Sequence, residues 1–431
     1  MINPRELLLD SFRAALTAAD PLHIIPPHLP PPPANGKTIV VGAGKAAAAM
    51  AKAVETHWPV DAPLDGIVIT RYAHGYRGVE SLKRIRVVEA GHPIPDDNGV
   101  NAARDILALV KTASPNDLVL VLISGGGSSL LALPAGEITM DDLQMITFNL
   151  LRSGAPIEDM NVVRKHLSAI QGGRLAAATA ARVVSLIISD VTGDDPADIA
   201  SGPTAADPTT YDDALTILNR YRITPPISVA RHLSNGARGA IAETIKPGDT
   251  IFSRVDNHVV ATAHQSLSRA AAYFQQRGVT PVILGDSVTG EAREVAKVYG
   301  ALVRQIRQHH HPMAPPLALI SGGECTVTIS KDNKGRGGRC TEFLLSLAID
   351  LDGLQNVHAL ACDTDGIDGS ENNAGGIMLD TTIARAGAIG LDAKAILNAN
   401  SAYDFFLALD DTIVTGPTRT NVNDYRAILV L

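Results

Sequence analysis

The sequence predicts an α/β protein of two domains, the first built on a parallel sheet covered by helices on both faces. Three observations carry this. The length of 431 residues exceeds what one hydrophobic core commonly holds. Short apolar, β-branched runs alternate with helical patterns, the signature of strand–helix–strand units. The alternation restarts near residue 245, after the turn-forming Ser234-Asn235-Gly236 and at Lys246-Pro247-Gly248. Domains are therefore expected at 1–240 and 241–431.

The elements follow in order. MINPRELLLDSFRAALTAAD reads as an amphipathic helix; it has neither the apolar centre nor the cleavage pattern of a signal peptide. His23–Pro33 is Pro-rich and reads as a stiff connector into the first strand, the alternative being a proline-rich ligand for another domain. Lys37–Val41 is that strand, and Ala43–Thr56 an Ala-rich helix. Gly66–Thr70, Arg84–Val88, Leu118–Ile123 and Val183–Ile188 are further buried strands. In the second half, strands Val255–Ala261 and Pro281–Leu284 flank a helix at Ala263–Arg277. Leu317–Ile320, Cys325–Ile329 and His358–Cys362 are strands, Thr341–Leu351 a helix, and Ala427–Leu431 the strand that closes the sheet.

Composition removes several function classes. A hydrophobic share of 45% with 19% charged residues belongs to an ordered chain. The net charge of −8 and 4% aromatics argue against nucleic acid as a partner. No uncharged run approaches the roughly 18 residues of a membrane span. Cys325, Cys340 and Cys362 form no CxxC pair, so neither a disulfide framework nor a cysteine zinc site is expected. A soluble cytoplasmic protein is the expectation.

Five motifs carry chemistry. Gly42-Ala43-Gly44-Lys45-Ala46-Ala47 has the GxGxxA spacing between a strand and a helix, a place for an anion at helix-start amides. Lys45 opposes the helix dipole unless an anion joins it; the plain alternative is a solvated lysine. Ser124-Gly125-Gly126-Gly127-Ser128-Ser129 can form a nest of backbone amides for an anion, or a purely structural turn. Ser128 is not a hydrolase elbow, because Leu130 stands where that motif needs glycine. In Ser189-Asp190-Val191-Thr192-Gly193-Asp194-Asp195, Asp190 follows a buried strand; Asp190 and Asp194 could hold Mg²⁺ or accept a proton, while one of Asp194 and Asp195 could cap a helix. Gly335-Arg336-Gly337-Gly338-Arg339 reads as a phosphate or carboxylate clamp, or as a surface hairpin. Asp363-Thr364-Asp365-Gly366-Ile367-Asp368-Gly369 fails the calcium-loop register and fits Mg²⁺ with phosphate better. Leu122–Gly126 recurs as Leu319–Gly323, a second Gly-rich turn after a strand. His309-His310-His311 lacks ligand spacing.

Taken in order, these pieces resemble the glycerate 2-kinase family whose C-terminal part is a MOFRL domain, here at about 315–420. Further matching pieces are Glu89-Ala90-Gly91-His92-Pro93, Val163-Arg164-Lys165-His166-Leu167-Ser168, Ser201-Gly202-Pro203-Thr204, Ser321-Gly322-Gly323-Glu324, Gly337-Gly338-Arg339 and Thr420-Asn421-Val422-Asn423-Asp424. The resemblance implies a Rossmann-like N-terminal domain and a smaller α/β C-terminal domain with the active site in the cleft. It also implies phosphoryl transfer from ATP to the 2-hydroxyl of D-glycerate, with Lys45 and Arg339 lining the site. The family's Asn-Gln after that arginine is here Cys340-Thr341, and its Lys-Gly-Gly is Gln171-Gly172-Gly173.

On this reading Gly44, the turn Ser124, Gly125, Gly126, Gly127 and Ser128, and the turn Gly322, Gly323 and Glu324 face ATP. Arg164, Lys165 or His166 grips the glycerate carboxylate. Asp190, Asp194 and Asp365 are the candidate Mg²⁺ ligands, with Asp190 also a candidate proton acceptor. A homodimer is left open as the assembly. The alternative is an NAD(P)H-dependent hydroxypyruvate reductase, resting on GxGxxA and on Arg71 as a 2′-phosphate reader. A non-catalytic sugar-phosphate-binding regulator is the reading from a different class.

Overall fold

The computed structural model describes residues 3–329 and 335–431. The chain forms two compact units, Pro21–Val260 and, together with Met1–Asp20, Ala261–Leu431. This differs from the expected division at residue 240 in two places, each with a packing reason given below.

The first unit is organised by six strands: β1 (Thr38–Ala43), β2 (Leu64–Arg71), β3 (Ile85–Ala90), β4 (Leu118–Ile123), β5 (Arg182–Ile188) and β6 (Val255–Ala261). Their order is β3-β2-β1-β4-β5-β6, and the pairings from β3 to β5 are parallel. That is the Rossmann order. β1 and β4 are buried along their whole length, as Val-, Ile- and Leu-rich central strands of a parallel sheet must be. The strand Val255–Ala261 edges this sheet instead of opening the second unit. Val255 and Val259 pack on the first core, and Arg182 pairs with Asp256 at 2.9 Å. A helical layer adds a second core, with Ile146, Leu150, Val163, Tyr211 and Leu233 at its centre.

The second unit holds β7 (Thr280–Gly285), β8 (Gly290–Glu291), β9 (Leu317–Ser321), β10 (Cys325–Thr326), β11 (Val357–Asp363), β12 (Gly375–Met378), β13 (Thr412–Ile413) and β14 (Asp424–Val430). The main sheet runs β13-β12-β11-β14-β9-β7 and is mixed, with only the β7–β9 pair parallel. The last strand therefore does not close the sheet. It runs antiparallel between β11 and β9, fully buried, and delivers Asp424 and Arg426 to the interior. The expected strand Cys325–Ile329 is reduced to two residues paired with β8. The N-terminal helix Pro4–Thr17 belongs here. Leu7, Leu8, Phe12 and Ala15 share one core with Phe274, Leu360 and Tyr425, and the Tyr425 hydroxyl bonds Ser11 at 2.8 Å.

Among the described residues, no helix is long and apolar enough to cross a membrane.

Candidate anion site

In the Rossmann order the strand direction of travel reverses between β1 and β4, and ligands bind beyond the carboxyl ends of the strands at that point. The two Gly-rich turns of the first unit both sit there, but they differ in what their amides do. After β1, the Gly44 N–H donates to the Ile69 carbonyl (3.1 Å) and Lys45 N–H to the Gly125 carbonyl (2.9 Å). Ala46 N–H donates to Ser124 Oγ (3.0 Å), and Ala47 N–H to the Gly44 carbonyl (3.1 Å). A Cβ on Gly44 would stand 2.1 Å from Ser124 Oγ, and its φ is +141°. The GxGxxA pattern thus locks one turn onto the other. The amides of Gly44, Lys45, Ala46 and Ala47 thus already have protein acceptors, where the cofactor-facing reading of Gly44 would have them meet a pyrophosphate.

The second turn is the opposite case. Ser124 N–H donates to Ala43 and Gly127 N–H to Ser124, while Gly125 and Gly126 N–H donate to no protein group among the described residues. Gly126 adopts φ +78°, which glycine takes without strain. Around the turn the side chains interlock. Ser128 Oγ meets Ser201 Oγ at 2.9 Å, Ser201 donates to Asn161 Oδ1 at 3.2 Å, and Gln171 Nε2 donates to the Ser128 carbonyl at 2.9 Å. His92 Nδ1 lies 2.7 Å from Ser129 Oγ.

Ser128, Ser129, Ser168, Gln171 and Arg164 border a small pocket with an apolar wall that includes Leu133, Leu143 and Leu167. Arg164 is half-buried, and its hydrogen bond is a long one, 3.4 Å to Asn161 Oδ1. Burial pushes its guanidinium below the usual arginine range, and no carboxylate acts against that. A desolvated cation of this kind asks for an anion.

The structure separates the three basic residues of the Arg164-Lys165-His166 run. Lys165 is buried between Asp198 (3.6 Å) and Asp207 (3.5 Å). His166 is buried with Nδ1 on the Val162 carbonyl (2.8 Å) and Nε2 facing Glu243 (3.2 Å); burial lowers its pKa. Both serve the helical layer, so Arg164 alone of the three borders the pocket. Lys45 is half-buried at the turn, with its carbonyl accepting from Thr70 Oγ1 at 3.3 Å. Asp190, also half-buried, lies two residues beyond the end of β5, and Asp194 sits four residues on at φ +56°.

In the second unit Arg339 opens the helix Arg339–Leu351 two residues earlier than expected, because buried Asp368 receives the N–H of Cys340 and of Thr341, both at 2.9 Å. Its guanidinium is ringed by three carboxylates: Asp424 at 2.8 Å, Asp363 at 2.7 Å and Glu324 at 2.6 Å. Burial alone would lower its pKa, but Asp424, Asp363 and Glu324 raise it well above the usual value. Asp424 also takes Arg426 at 2.5 Å, and Arg426, fully buried, donates to the Gly322 carbonyl at 2.8 Å. The Gly322 N–H is itself given to the Gly285 carbonyl (2.8 Å), so this turn is tied to its own sheet. Asp365 Oδ1 accepts the Ile367 N–H at 2.9 Å and shapes the turn it sits in. Among the described residues, no three His, Cys, Asp or Glu side chains gather as a metal cage.

Asn161, Ser201, Gln171, Asp363, Asp424 and Arg426 carry no individual role legible in the sequence. Their positions depend on which loops meet, which no local pattern encodes. His92 lay inside a noted motif, but only the fold sets it beside Ser129.

A Rossmann-ordered sheet whose second turn offers unoccupied amides beside a desolvated arginine, followed by a mixed-sheet unit, defines a two-unit α/β protein with a candidate anion site. Comparison with known proteins makes this specific. Residues 7–234 match the family described as Domain of unknown function (DUF4147), and residues 317–424 match the MOFRL family; the chain belongs to the family that joins the two. A relative from Agrobacterium vitis, whose name provisionally assigns hydroxypyruvate reductase, is 48% identical, covering 100% of this chain and 95% of its own. The glycerate 2-kinase of Pyrococcus horikoshii is 40% identical, covering 90% and 86%. Among solved structures, the glycerate kinase of Thermotoga maritima superposes with a TM-score of 0.85 at 35% identity, covering 99% of both chains.

Proposed function

We propose that this chain is a glycerate 2-kinase, transferring the γ-phosphoryl group of ATP to the 2-hydroxyl of D-glycerate. One observation carries the choice over the reductase: the contrast between the two turns. The GxGxxA amides, which a dinucleotide pyrophosphate would need, are spent on Ile69, Gly125, Ser124 and Gly44. The Gly125 and Gly126 amides and the Arg164 guanidinium are left for two anionic groups, as a phosphate and a substrate carboxylate supply. Relatives named glycerate kinase at 32–40% identity support the same reading.

Phosphoryl transfer depends on positioning and charge neutralisation. On this reading the Gly125–Gly126 amides receive phosphate oxygens, and Arg164 orients glycerate by its carboxylate against the apolar wall. Lys45 supplies positive charge to the transferred group. Arg339 does so only if Glu324, the exposed one of its three partners, gives way. Asp190 and Asp194 would hold the Mg²⁺ that accompanies ATP, and the ion neutralises phosphate charge when bound. A pair of carboxylates suits Mg²⁺, which takes most of its ligands from water and phosphate. Three buried free cysteines suit a reducing cytoplasm.

Thermal shift tests the choice. Mg-ATP raises the unfolding temperature and NADH leaves it unchanged on the kinase reading. Stabilisation by NADH alone would overturn it.

A further inference from the structure

Arg164 differs from Lys165 and Arg339 in the partner it is given. Lys165 stands between two carboxylates and Arg339 among three. Arg164 is met instead by an amide oxygen, Asn161 Oδ1, at 3.4 Å. The two residues lie three positions apart on the helix Ile157–His166, which puts them on one face. Neighbours fix the orientation of the amide. An arginine can only donate and a backbone carbonyl can only accept. Oδ1 therefore faces Arg164, and Nδ2 donates to the Asp198 carbonyl at 3.4 Å. Ser201 Oγ donates to the same Oδ1 at 3.2 Å and meets Ser128 Oγ, at the anion turn, at 2.9 Å. Asn161 and Ser201 are both buried. The backbone is strained to bring Ser201 there: Ala200 and Ser201 adopt φ +52° and +58°, a region costly to residues with a Cβ. Gly127 makes room for this turn, since a Cβ on it would stand 2.5 Å from that of Ala200.

We propose that Asn161 is a positioning residue of the kinase reaction: a neutral acceptor that orients the Arg164 guanidinium for the glycerate carboxylate without cancelling its charge, and that Ser201 braces against the anion turn. This deepens the kinase reading and rests on it. An aspartate at this position would have the same shape and could accept the same hydrogen bond. Its charge, however, would satisfy the guanidinium from within the protein and compete with the substrate's carboxylate for it. The amide holds one nitrogen, Nη1, and leaves the charge of the arginine to the ligand. Ser201 joins that amide to Ser128, so the carboxylate-binding cation and the turn with the Gly125 and Gly126 amides are held by one hydrogen-bonded chain.

The test uses the full chain with Mg-ATP and D-glycerate, each varied in steady-state kinetics. Asn161→Asp is expected to raise KM for glycerate about 10- to 100-fold, the worth of one hydrogen bond to a charged group, with KM for ATP near the parent's. That effect runs through the guanidinium. The same substitution in an Arg164→Met background should therefore change KM for glycerate by less than about twofold, the error of additivity between independent sites. A purely structural role for Asn161 would give the same factor in both backgrounds, and that result would overturn the proposal. So would an unchanged KM for glycerate in N161D. Should N161D not fold, Asn161→Ser carries the comparison, because it withdraws the acceptor without adding charge. KM for glycerate then rises in the parent background and not beside Arg164→Met; equal rises in both, or none in either, would overturn the proposal. Absence of turnover in the unsubstituted chain would instead refute the kinase reading, and the positioning role with it.

Discussion

Replacing Arg164 by methionine should separate function from stability in opposite directions. The guanidinium is half-buried, holds one hydrogen bond at 3.4 Å, and has burial as the sole cause of its lowered pKa. In the ligand-free protein it is a cation that has lost water without gaining an anion, which is a net cost. Methionine keeps much of the stem's volume against Leu143 and Leu167 and removes that cost. The Arg164→Met protein should therefore unfold at the same temperature as the parent or a few degrees above it. Substrate binding should move the other way. A hydrogen bond to a charged partner is worth about 1.5–3 kcal/mol, and a carboxylate on this guanidinium can take two. A loss of about 3 kcal/mol is about two decades in affinity, so KM for glycerate should rise about 100-fold while KM for ATP stays near the parent's. Steady-state kinetics with each substrate varied, beside calorimetry, reads all three quantities. A fall in unfolding temperature with KM for glycerate unchanged would show that Arg164 holds the fold and not the substrate.

Three further outcomes follow from the same geometry. Gly44→Ala should destabilise the first unit by more than the ~1–2 kcal/mol of a left-handed backbone position alone, because its Cβ meets Ser124 Oγ at 2.1 Å and the Ser124 carbonyl oxygen at 2.5 Å. Adding Ser124→Ala should not rescue it, since the carbonyl remains; full rescue in urea unfolding would refute the interlock. Arg426→Met breaks a buried pair, leaving Asp424 with Arg339 alone, and should cost about 3–5 kcal/mol; a cost below about 1 kcal/mol by denaturant titration, the level of an exposed pair, would mean that Asp424 is already satisfied. Burial lowers the pKa of His232 and of His358. The unfolded chain takes those protons near pH 6.5 while the fold resists them. Stability from the neutral rings is thus complete above about pH 6.5 and is lost as pH falls through the folded values. His358→Gln should flatten part of that decline between pH 7 and 5, and parallel curves for the two proteins would contradict the assignment.

Much of the first unit could be read directly from the chain. Its central strands are continuous apolar runs, and each Gly-rich turn follows one, so Leu118–Ile123 and the turn at Ser124 were legible together. What the pattern could not convey is which amides a turn leaves over. Gly44 and Gly126 look alike in sequence, and only the pairing of β1 with β4 spends the first turn's donors on the second. The same limit explains Lys165 and His166. Their motif is adjacent to Arg164, but a helix sends neighbours to different faces, and the two meet Asp207 and Glu243 from distant segments. The N-terminal helix was visible as a helix, whereas its dock, the sheet that carries Tyr425 some four hundred residues later, was not. β14 was visible as a strand, yet its central place depends on the antiparallel β11 and β9, a partnership with no local signal.

The reaction itself decides between kinase and reductase. Purified protein incubated with Mg-ATP and D-glycerate, followed by phosphorus NMR, tests it in one tube. A new phosphomonoester assignable to 2-phosphoglycerate is expected, formed in step with ADP. No new phosphomonoester, with NADH consumed by hydroxypyruvate in a parallel tube, would contradict it.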